Sequence, residues 1–315
     1  MKLVFILILC IFIVSLALII TNNNRRLRVE HFNDKNGSSK TFKFLTPGEA
    51  CDLIKDIDYF QNFTETDLLA RKFINDPKNI TQSYCNKYLK FNKEEKDTIQ
   101  NVLKKLPDNE LFKTWSFAKI DSDVENGYPH THKDTIFLSK NTINDTPKRL
   151  LYVLVHEQMH VMQRKKPELF DKLYTKYYPF KKGKIGLSDK VVKKMRSNPD
   201  TRFTPESDYI YIDGDDRLYY LCAVYSQEIP TSLGDVKYIA VNLDHDKEKE
   251  IYKGSEDIMD ISGIGNFNNF FSIDSNHYHP NEISAEIIGL YYSDKQKEPC
   301  QGLIMTEMWI KDNLV

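Results

Sequence analysis

The chain has 315 residues, of which 41% are hydrophobic and 12% are aromatic. This composition is sufficient for a sizeable core and excludes a disordered protein. The 44 basic and 45 acidic residues give a net charge of −1, so the charge balance argues against nucleic acid as a partner.

The chain begins with an apolar segment, LVFILILCIFIVSLALII, in which Ser15 is the only clearly polar residue. As a helix this segment would span about 27 Å, enough to cross most of a bilayer core. We therefore predict a transmembrane anchor over residues 1–21 and a single-pass membrane protein. The alternative is a cleaved signal peptide, which the length of the apolar run and the absence of a small-residue cleavage site disfavour.

The side of the membrane on which the body lies stays open. Three arginines after the anchor, between residues 25 and 28, would place the body in the cytoplasm by the positive-inside rule. Asn36, Asn62, Asn79 and Asn144 begin N-x-S/T triplets, as in exported chains, but roughly two or three triplets are expected by chance. The cysteines outside the anchor could form two disulfides, and they show no C-x-x-C pairing. These four are Cys51, Cys85, Cys222 and Cys300.

Residues 22–41 are polar and include a Gly-Ser-Ser stretch, which predicts a flexible tether. The following TPGEACDLI has a threonine N-cap, a proline at the first helical position and a glutamate three residues after the cap. This capping box predicts a helix. Further helices are predicted near 66–75 and, capped by Asn92, near 93–105, so residues 42–110 form a helical N-terminal region.

From residue 111 onwards the pattern alternates between strands and helices. We predict strands over 112–120, 134–139 and several parts of 208–241, helices over 148–164, 167–178 and 280–292, and a strand near 302–309. The DGDD stretch within 208–241 predicts a turn. The mixture is typical of the α+β class.

The predicted helix over 148–164 contains LLYVLVHEQMHVMQ. His156 and His160 are four residues apart, so their imidazoles share one face of the helix and can reach one point. Zinc accepts such nitrogen ligands, and Glu157 could reach a water in an open coordination position. This is the H-E-x-x-H pattern of zinc hydrolases. Because the surrounding residues are uncharged, the helix is expected to be buried, where three unpaired ionisable groups would be costly without a metal.

A third metal ligand is predicted within HYHPNEISAEIIGLYY, where Glu282 and Glu286 lie four residues apart on one helix face. H-E-x-x-H followed by N-E-x-x-x-E resembles the gluzincins, the thermolysin-like zinc peptidases. The resemblance covers these two short motifs. It implies a zincin-like catalytic domain over 111–315, with Glu282 as a zinc ligand and Glu286 orienting a ligand histidine. The long separation of the motifs implies a large insertion, which carries the strands of 208–245.

Other side chains are candidates to stabilise the oxyanion of a tetrahedral intermediate or to line the site. His277 and His279, just before the third-ligand helix, are the first of these. Tyr209 and Tyr211 are alternative oxyanion donors. His130 and His132 precede a strand that could pair with an extended substrate.

The sequence thus predicts a membrane-anchored zinc metallopeptidase that acts on a peptide or protein substrate, with Glu157 as general base. An endopeptidase is favoured because the aminopeptidase motif G-x-M-x-N does not occur in the chain. Two other interpretations stay open. The chain could be a zincin-like binding or structural module on a membrane, or a zinc hydrolase whose substrate is not a peptide.

Overall fold

The computed structural model describes residues 40–73, 75–273, 277–293 and 299–314. The anchor predicted over 1–21 and all but the last two residues of the tether lie outside this part of the chain. Within it, no helix is both long enough and apolar enough to cross a membrane. Helices and strands are both abundant, as the α+β prediction requires.

Five strands form the first sheet. They are β1 Thr41–Phe44, β2 Tyr88–Leu89, β3 Thr114–Ile120, β4 His130–His132 and β5 Thr135–Ser139. Their order is β1–β3–β5–β4, with β2 also on β3, and β1, β3 and β5 run parallel to one another. β4 is antiparallel to β5 and lies at the edge of the sheet. Since β1 pairs with β3, the region over 42–110 shares a sheet with the residues that follow it.

Four helices belong to this N-terminal region. They are α1 Pro47–Lys55, α2 Glu65–Ala70, α3 Ile80–Cys85 and α4 Lys93–Leu103. The capping box predicted for α1 is confirmed, because the Thr46 hydroxyl accepts from the Glu49 backbone and the Glu49 carboxylate accepts from the Thr46 backbone. Asn92 caps α4 in the same way. The helix predicted near 66–75 is shorter than expected and ends at Ala70.

One disulfide joins α1 to α3, between Cys51 and Cys85. Cys222 and Cys300 are free thiols, the first buried and the second partly buried. The four cysteines therefore form one disulfide and not the two that the sequence allowed.

The central helix carries the H-E-x-x-H motif. The helices in this part are α5 Lys140–Ile143, α6 Pro147–Lys165, α7 Pro167–Lys172 and α8 Asp189–Val192, and a π-helical turn over Leu173–Tyr177 extends α7. Every residue of α6 from Leu150 to Gln163 is buried. This confirms the predicted burial of a helix that contains three ionisable groups.

The second sheet follows α6 in the chain. Its strands are β6 Phe180–Gly183, β7 Ile185–Gly186, β8 Asp208–Ile212, β9 Leu218–Tyr225, β10 Val236–Asp246 and β11 Ile251–Asp260. Their order is β6–β8–β9–β10–β11–β7, so the two ends of the sheet are separated in the chain by Lys184 alone. The sheet must therefore curl on itself. Gly183 permits this, because a Cβ there would lie 2.6 Å from Ile210 and 2.7 Å from Tyr252.

Three helices complete the described chain, α9 Gly265–Phe271, α10 Pro280–Tyr292 and α11 Gln301–Leu314. The helix predicted over 280–292 is confirmed. The strand predicted near 302–309 is wrong, because this segment lies in α11. Its buried residues Gly302, Thr306, Trp309 and Ile310 follow helical spacing.

Candidate metal centre

The two motif helices, α6 and α10, pack directly against each other. Gly289 lies at this contact, where a Cβ would be 3.2 Å from the backbone oxygen of Tyr152. Glycine therefore permits a separation that a larger residue would increase. This contact carries the first turn of α10, which contains Glu282, to the face of α6 that presents His156 and His160.

The three predicted ligand residues converge in the structure. Their ligand atoms are close to one another, with His156 Nε2 3.1 Å from His160 Nε2 and 3.4 Å from Glu282 Oε2. His160 Nε2 is 3.7 Å from the same carboxylate oxygen. Two ligands of a tetrahedral zinc ion at about 2.1 Å are roughly 3.4 Å apart, so these separations fit one ion. All three residues are buried, and the group could hold a metal ion.

His160 is oriented by the next turn of its own helix. Its Nδ1 donates to Gln163 Oε1 at 2.9 Å, which leaves Nε2 as the nitrogen that meets the other ligands. Gln163 is in turn fixed by donating to the backbone oxygen of Asn281 at 2.9 Å and to Ser284 at 3.1 Å. No motif in the sequence marked Gln163 as a site residue. Its position three residues after His160 places it on the same face of the helix, which could have indicated this contact.

Glu286 lies beside the other histidine, where the resemblance placed it. Its Oε2 is 3.8 Å from His156 Nδ1, an ion-pair separation that exceeds a hydrogen bond. The Tyr152 hydroxyl donates to the same carboxylate. Glu286 is thus held by α6 and adds negative charge behind His156.

Glu282 is held by residues from outside both motif helices. Asn198 Nδ2 donates to Glu282 Oε1 at 2.7 Å, and the Tyr278 hydroxyl donates to the same oxygen at 3.3 Å. Because these bonds engage Oε1, the other carboxylate oxygen, Oε2, faces the two histidines. Residues 196–201, here called the crossing segment, belong to no helix or strand, and no motif in the sequence pointed to them.

Glu157 borders a cavity of about 430 Å³ that is also lined by the three ligand residues. It is buried, and its Oε2 has no hydrogen-bond partner among the described residues. Burial raises the pKa of Glu157 to about 7. A buried carboxylate with a free oxygen and a pKa near neutrality can take up and release a proton at physiological pH.

The electrostatics of the ligand group favour a cation. Burial alone would lower the pKa of His160, but the carboxylates of Asp200 and Glu282 outweigh it and raise this pKa to about 10. Burial would raise the pKa of Glu282, yet the two histidines hold it well below its usual value. Without a bound ion the site thus retains protons on its imidazoles, which a metal could replace.

The two histidines of β4 have different surroundings. His130 lines the cavity, and its Nδ1 donates to the backbone oxygen of Tyr128 at 2.9 Å. His132 packs against Tyr59 and Phe137 and does not line this cavity, and burial holds its pKa well below the usual value. The structure therefore brings His130 alone of this pair to the site.

Neither of the two histidines predicted to act at the oxyanion, His277 and His279, lines the cavity. His279 is the N-cap of α10, where its Nδ1 accepts from the Asn281 backbone at 3.1 Å, and its Nε2 lies 3.4 Å from Asp208. His277 packs against Tyr238, with ring centroids 4.7 Å apart. Both imidazoles are thus engaged away from the ligand group.

The alternative oxyanion donors also lie elsewhere. The Tyr209 hydroxyl donates to Asp171, and Tyr211 packs against Phe180 and Phe267 in the core. Neither tyrosine borders the cavity. No tyrosine on β8 is therefore placed to act at the site.

Comparison with known proteins gives no match. No family model fits the chain, and no curated protein or solved structure is significantly similar to it.

Proposed function

We propose that the protein is a zinc-dependent metallopeptidase of the gluzincin type, with a zincin-like catalytic domain. The observation that carries the proposal is the convergence of Glu282 on His156 and His160. Two motifs that are far apart in the chain supply three ligand atoms whose mutual separations are 3.1, 3.4 and 3.7 Å. Glu157, the residue that the H-E-x-x-H pattern assigns to proton transfer, borders the same cavity.

Zinc is the metal that this donor set suits best. Two imidazoles and one carboxylate are the ligands of catalytic zinc sites, which keep a further position open. Calcium and magnesium prefer all-oxygen sites of higher coordination number. When bound, zinc acts as a Lewis acid that activates water toward a polarised carbonyl.

The residues of the chain then supply the proton transfers. Glu157 takes a proton from the attacking water as the water oxygen bonds to the scissile carbonyl carbon. The same proton passes to the leaving nitrogen as the carbon–nitrogen bond breaks. Burial raises the pKa of Glu157 to about 7, which suits both acceptance and donation near neutral pH.

The neighbouring sheet edge supports a peptide as the substrate. β4 is the edge strand of the first sheet, and its first residue, His130, lines the cavity. An extended peptide can add to a sheet edge through backbone hydrogen bonds. All three residues of β4 are buried, so a substrate that adds to this strand would have to displace the residues that cover it, and it would then pass the ligand group.

The proposal retains the N-terminal anchor, so that the peptidase acts at a membrane. The disulfide between Cys51 and Cys85 favours a body outside the cytoplasm, because disulfides persist in oxidising compartments. The disulfide thus favours one side of the membrane for the body, a choice that the arginines after the anchor and the N-x-S/T triplets left open.

Metal analysis combined with digestion of a peptide library tests the proposal. We expect one zinc per chain and cleavage that a chelator removes and added zinc restores. Zinc without turnover would favour a binding module. Turnover of small esters or amides without any peptide cleavage would favour a different zinc hydrolase.

A further inference from the structure

The cavity beside the metal centre is lined by three arginines, Arg71, Arg149 and Arg196. We propose that Arg196 and Arg149 bind a carboxylate of the substrate. The inference rests on the proposed function, since it names the substrate class of the same site. The chemistry recognised is a peptide that carries a carboxylate close to the scissile bond.

Arg71 is not available for this task, because carboxylates of the protein neutralise it. Its guanidinium forms ion pairs of 3.0 Å with Asp67 and with Glu125, and all three side chains are buried. Glu125, which also lines the cavity, is therefore already paired. One guanidinium and two carboxylates have a formal charge of −1, so this group supplies no free cation to the cavity.

The other carboxylates around the cavity are also engaged. Asp200 accepts from Thr131 at 2.6 Å and pairs with Arg164. Glu282 belongs to the metal group, and Glu157 is the proposed base. After this pairing, two cations without a carboxylate partner remain on the cavity wall.

Arg196 is the more enclosed of the two. It is partly buried on the crossing segment and donates to the Tyr278 hydroxyl at 3.0 Å. Among the described residues, no carboxylate oxygen lies within 4.0 Å of its guanidinium. A partly desolvated guanidinium is costly without an anion. Its planar donors suit a carboxylate, which they can bind in a bidentate manner.

Arg149 lies in the first turn of α6, where the helix dipole disfavours a cation. Its guanidinium is 4.7 Å from the centre of the Tyr152 ring, and the described residues give it no carboxylate partner within ion-pair distance. The ring face of Tyr152 stabilises this guanidinium through a cation–π contact. The side chain is exposed on the cavity wall, where no carboxylate partner competes with an anion that enters.

The positions of the two arginines define where the carboxylate lies. Two hydrogen bonds, Arg196 to Tyr278 at 3.0 Å and Tyr278 to Glu282 at 3.3 Å, link Arg196 to a metal ligand. The guanidinium of Arg196 therefore lies within about one or two residues of extended peptide from the carbonyl that is cleaved. Arg149 precedes His156 by two turns of α6, about 10 Å along the helix, and can take a more distant carboxylate.

A carboxylate near the scissile bond has two sources, the free C-terminus of the substrate or an Asp or Glu side chain. The test uses the zinc-loaded full-length chain with Glu157→Gln, so that peptides bind without being cut. Three fluorescein-labelled octapeptide mixtures serve as probes. One has a free C-terminus and no acidic residues, one is neutral and amidated, and one is amidated with a single internal Asp or Glu. Fluorescence anisotropy gives each Kd.

We expect at least one carboxylate-bearing mixture to bind about tenfold or more tightly than the neutral amidated mixture. Arg196→Gln, which keeps a donor for Tyr278, should remove most of that preference. Arg149→Gln should reduce it further, and Arg196→Lys should restore part of it. Arg217→Gln is the matched control, since Arg217 lies on the hairpin between β8 and β9 and pairs with Asp213.

Zinc stoichiometry and thermal unfolding of each variant separate a lost carboxylate site from a lost fold, and Arg149 is an exposed position that tests the inference independently. Equal binding of all three mixtures, no binding of any, or a preference that survives in the double variant would overturn the inference. Digestion with the unsubstituted chain separates the two proposals. Carboxylate-dependent binding without cleavage contradicts the peptidase alone, and cleavage without carboxylate preference contradicts this inference alone.

Discussion

Asn198 donates a hydrogen bond of 2.7 Å to the carboxylate of Glu282. Asn198 lies on the crossing segment, whereas Glu282 lies in the first turn of α10. The bond engages Oε1 and so leaves Oε2 for the two histidines, which lie 3.4 and 3.7 Å from it. The orientation of the third candidate ligand therefore depends on a residue outside both motifs.

Replacement of this partner is expected to weaken metal binding. In Asn198→Ala, Glu282 loses its shortest hydrogen bond, and loss of such a partner typically lowers metal affinity about 10- to 100-fold. Competition with a chromophoric zinc chelator measures the affinity. Asn101→Ala, at an exposed position of α4, is the matched control and should bind zinc like the unsubstituted chain. Unchanged affinity in Asn198→Ala would show that the contact does not orient the ligand.

Zinc uptake should release protons. The carboxylates around His160 raise its pKa to about 10 against the effect of burial, so the metal-free imidazole is protonated at neutral pH. Zinc binds the neutral ring, so about one proton must leave His160 for each zinc bound. The apparent affinity should therefore rise with pH between 7 and 9. Calorimetry in two buffers of different ionisation enthalpy measures the release, and a heat independent of buffer would contradict it.

The same raised pKa has a consequence for the metal-free fold. A group whose pKa is higher in the folded than in the unfolded state stabilises the fold at low pH. For His160 this contribution is complete below about 6.5, the unfolded value, and is lost as pH rises through about 10. Metal-free protein should therefore become less stable as pH rises over this range. Zinc-loaded protein should lose less stability, because the proton has already left His160.

The disulfide between Cys51 and Cys85 should contribute measurably to stability. It closes a loop of sequence separation 34, for which the loss of unfolded-state entropy corresponds to about 3–4 kcal/mol. Cys51→Ser with Cys85→Ser should lower the free energy of unfolding by about 2–4 kcal/mol in denaturant titrations. Reductant should have the same effect on the unsubstituted chain and none on the double variant. Insensitivity of the unsubstituted chain to reductant would disprove the crosslink.

Two of the candidate ligands could be predicted from local spacing, because His156 and His160 are one helical turn apart. Glu282 was predicted through the resemblance of its motif to that of the gluzincins, and the proline before it indicated only that a helix begins there. Asn198 could not be predicted, because its role depends on the path of a segment without regular structure. The capping of α10 by His279 was not predicted, because an imidazole just before a helix can either cap it or act in catalysis.

The errors in secondary structure have similar causes. The apolar run of Leu303, Ile304 and Met305 suggests a strand, yet burial in α11 follows Gly302, Thr306 and Trp309, which are spaced as in a helix. β11 was not predicted because most of its side chains are exposed or half-buried, so it lacks an alternating apolar pattern. This segment forms a strand because it pairs with β10 in the antiparallel direction.

Substitution of Glu157 by glutamine tests whether this carboxylate is the general base of a zinc peptidase. Glutamine has nearly the shape of glutamate but cannot accept the proton, so Glu157→Gln should bind one zinc per chain and lose peptide hydrolysis by a factor of at least about 10². Zinc content and cleavage of the same peptide library are measured on both proteins. We expect stoichiometric zinc with abolished hydrolysis, whereas full hydrolysis by the zinc-loaded variant would show that Glu157 is not the general base.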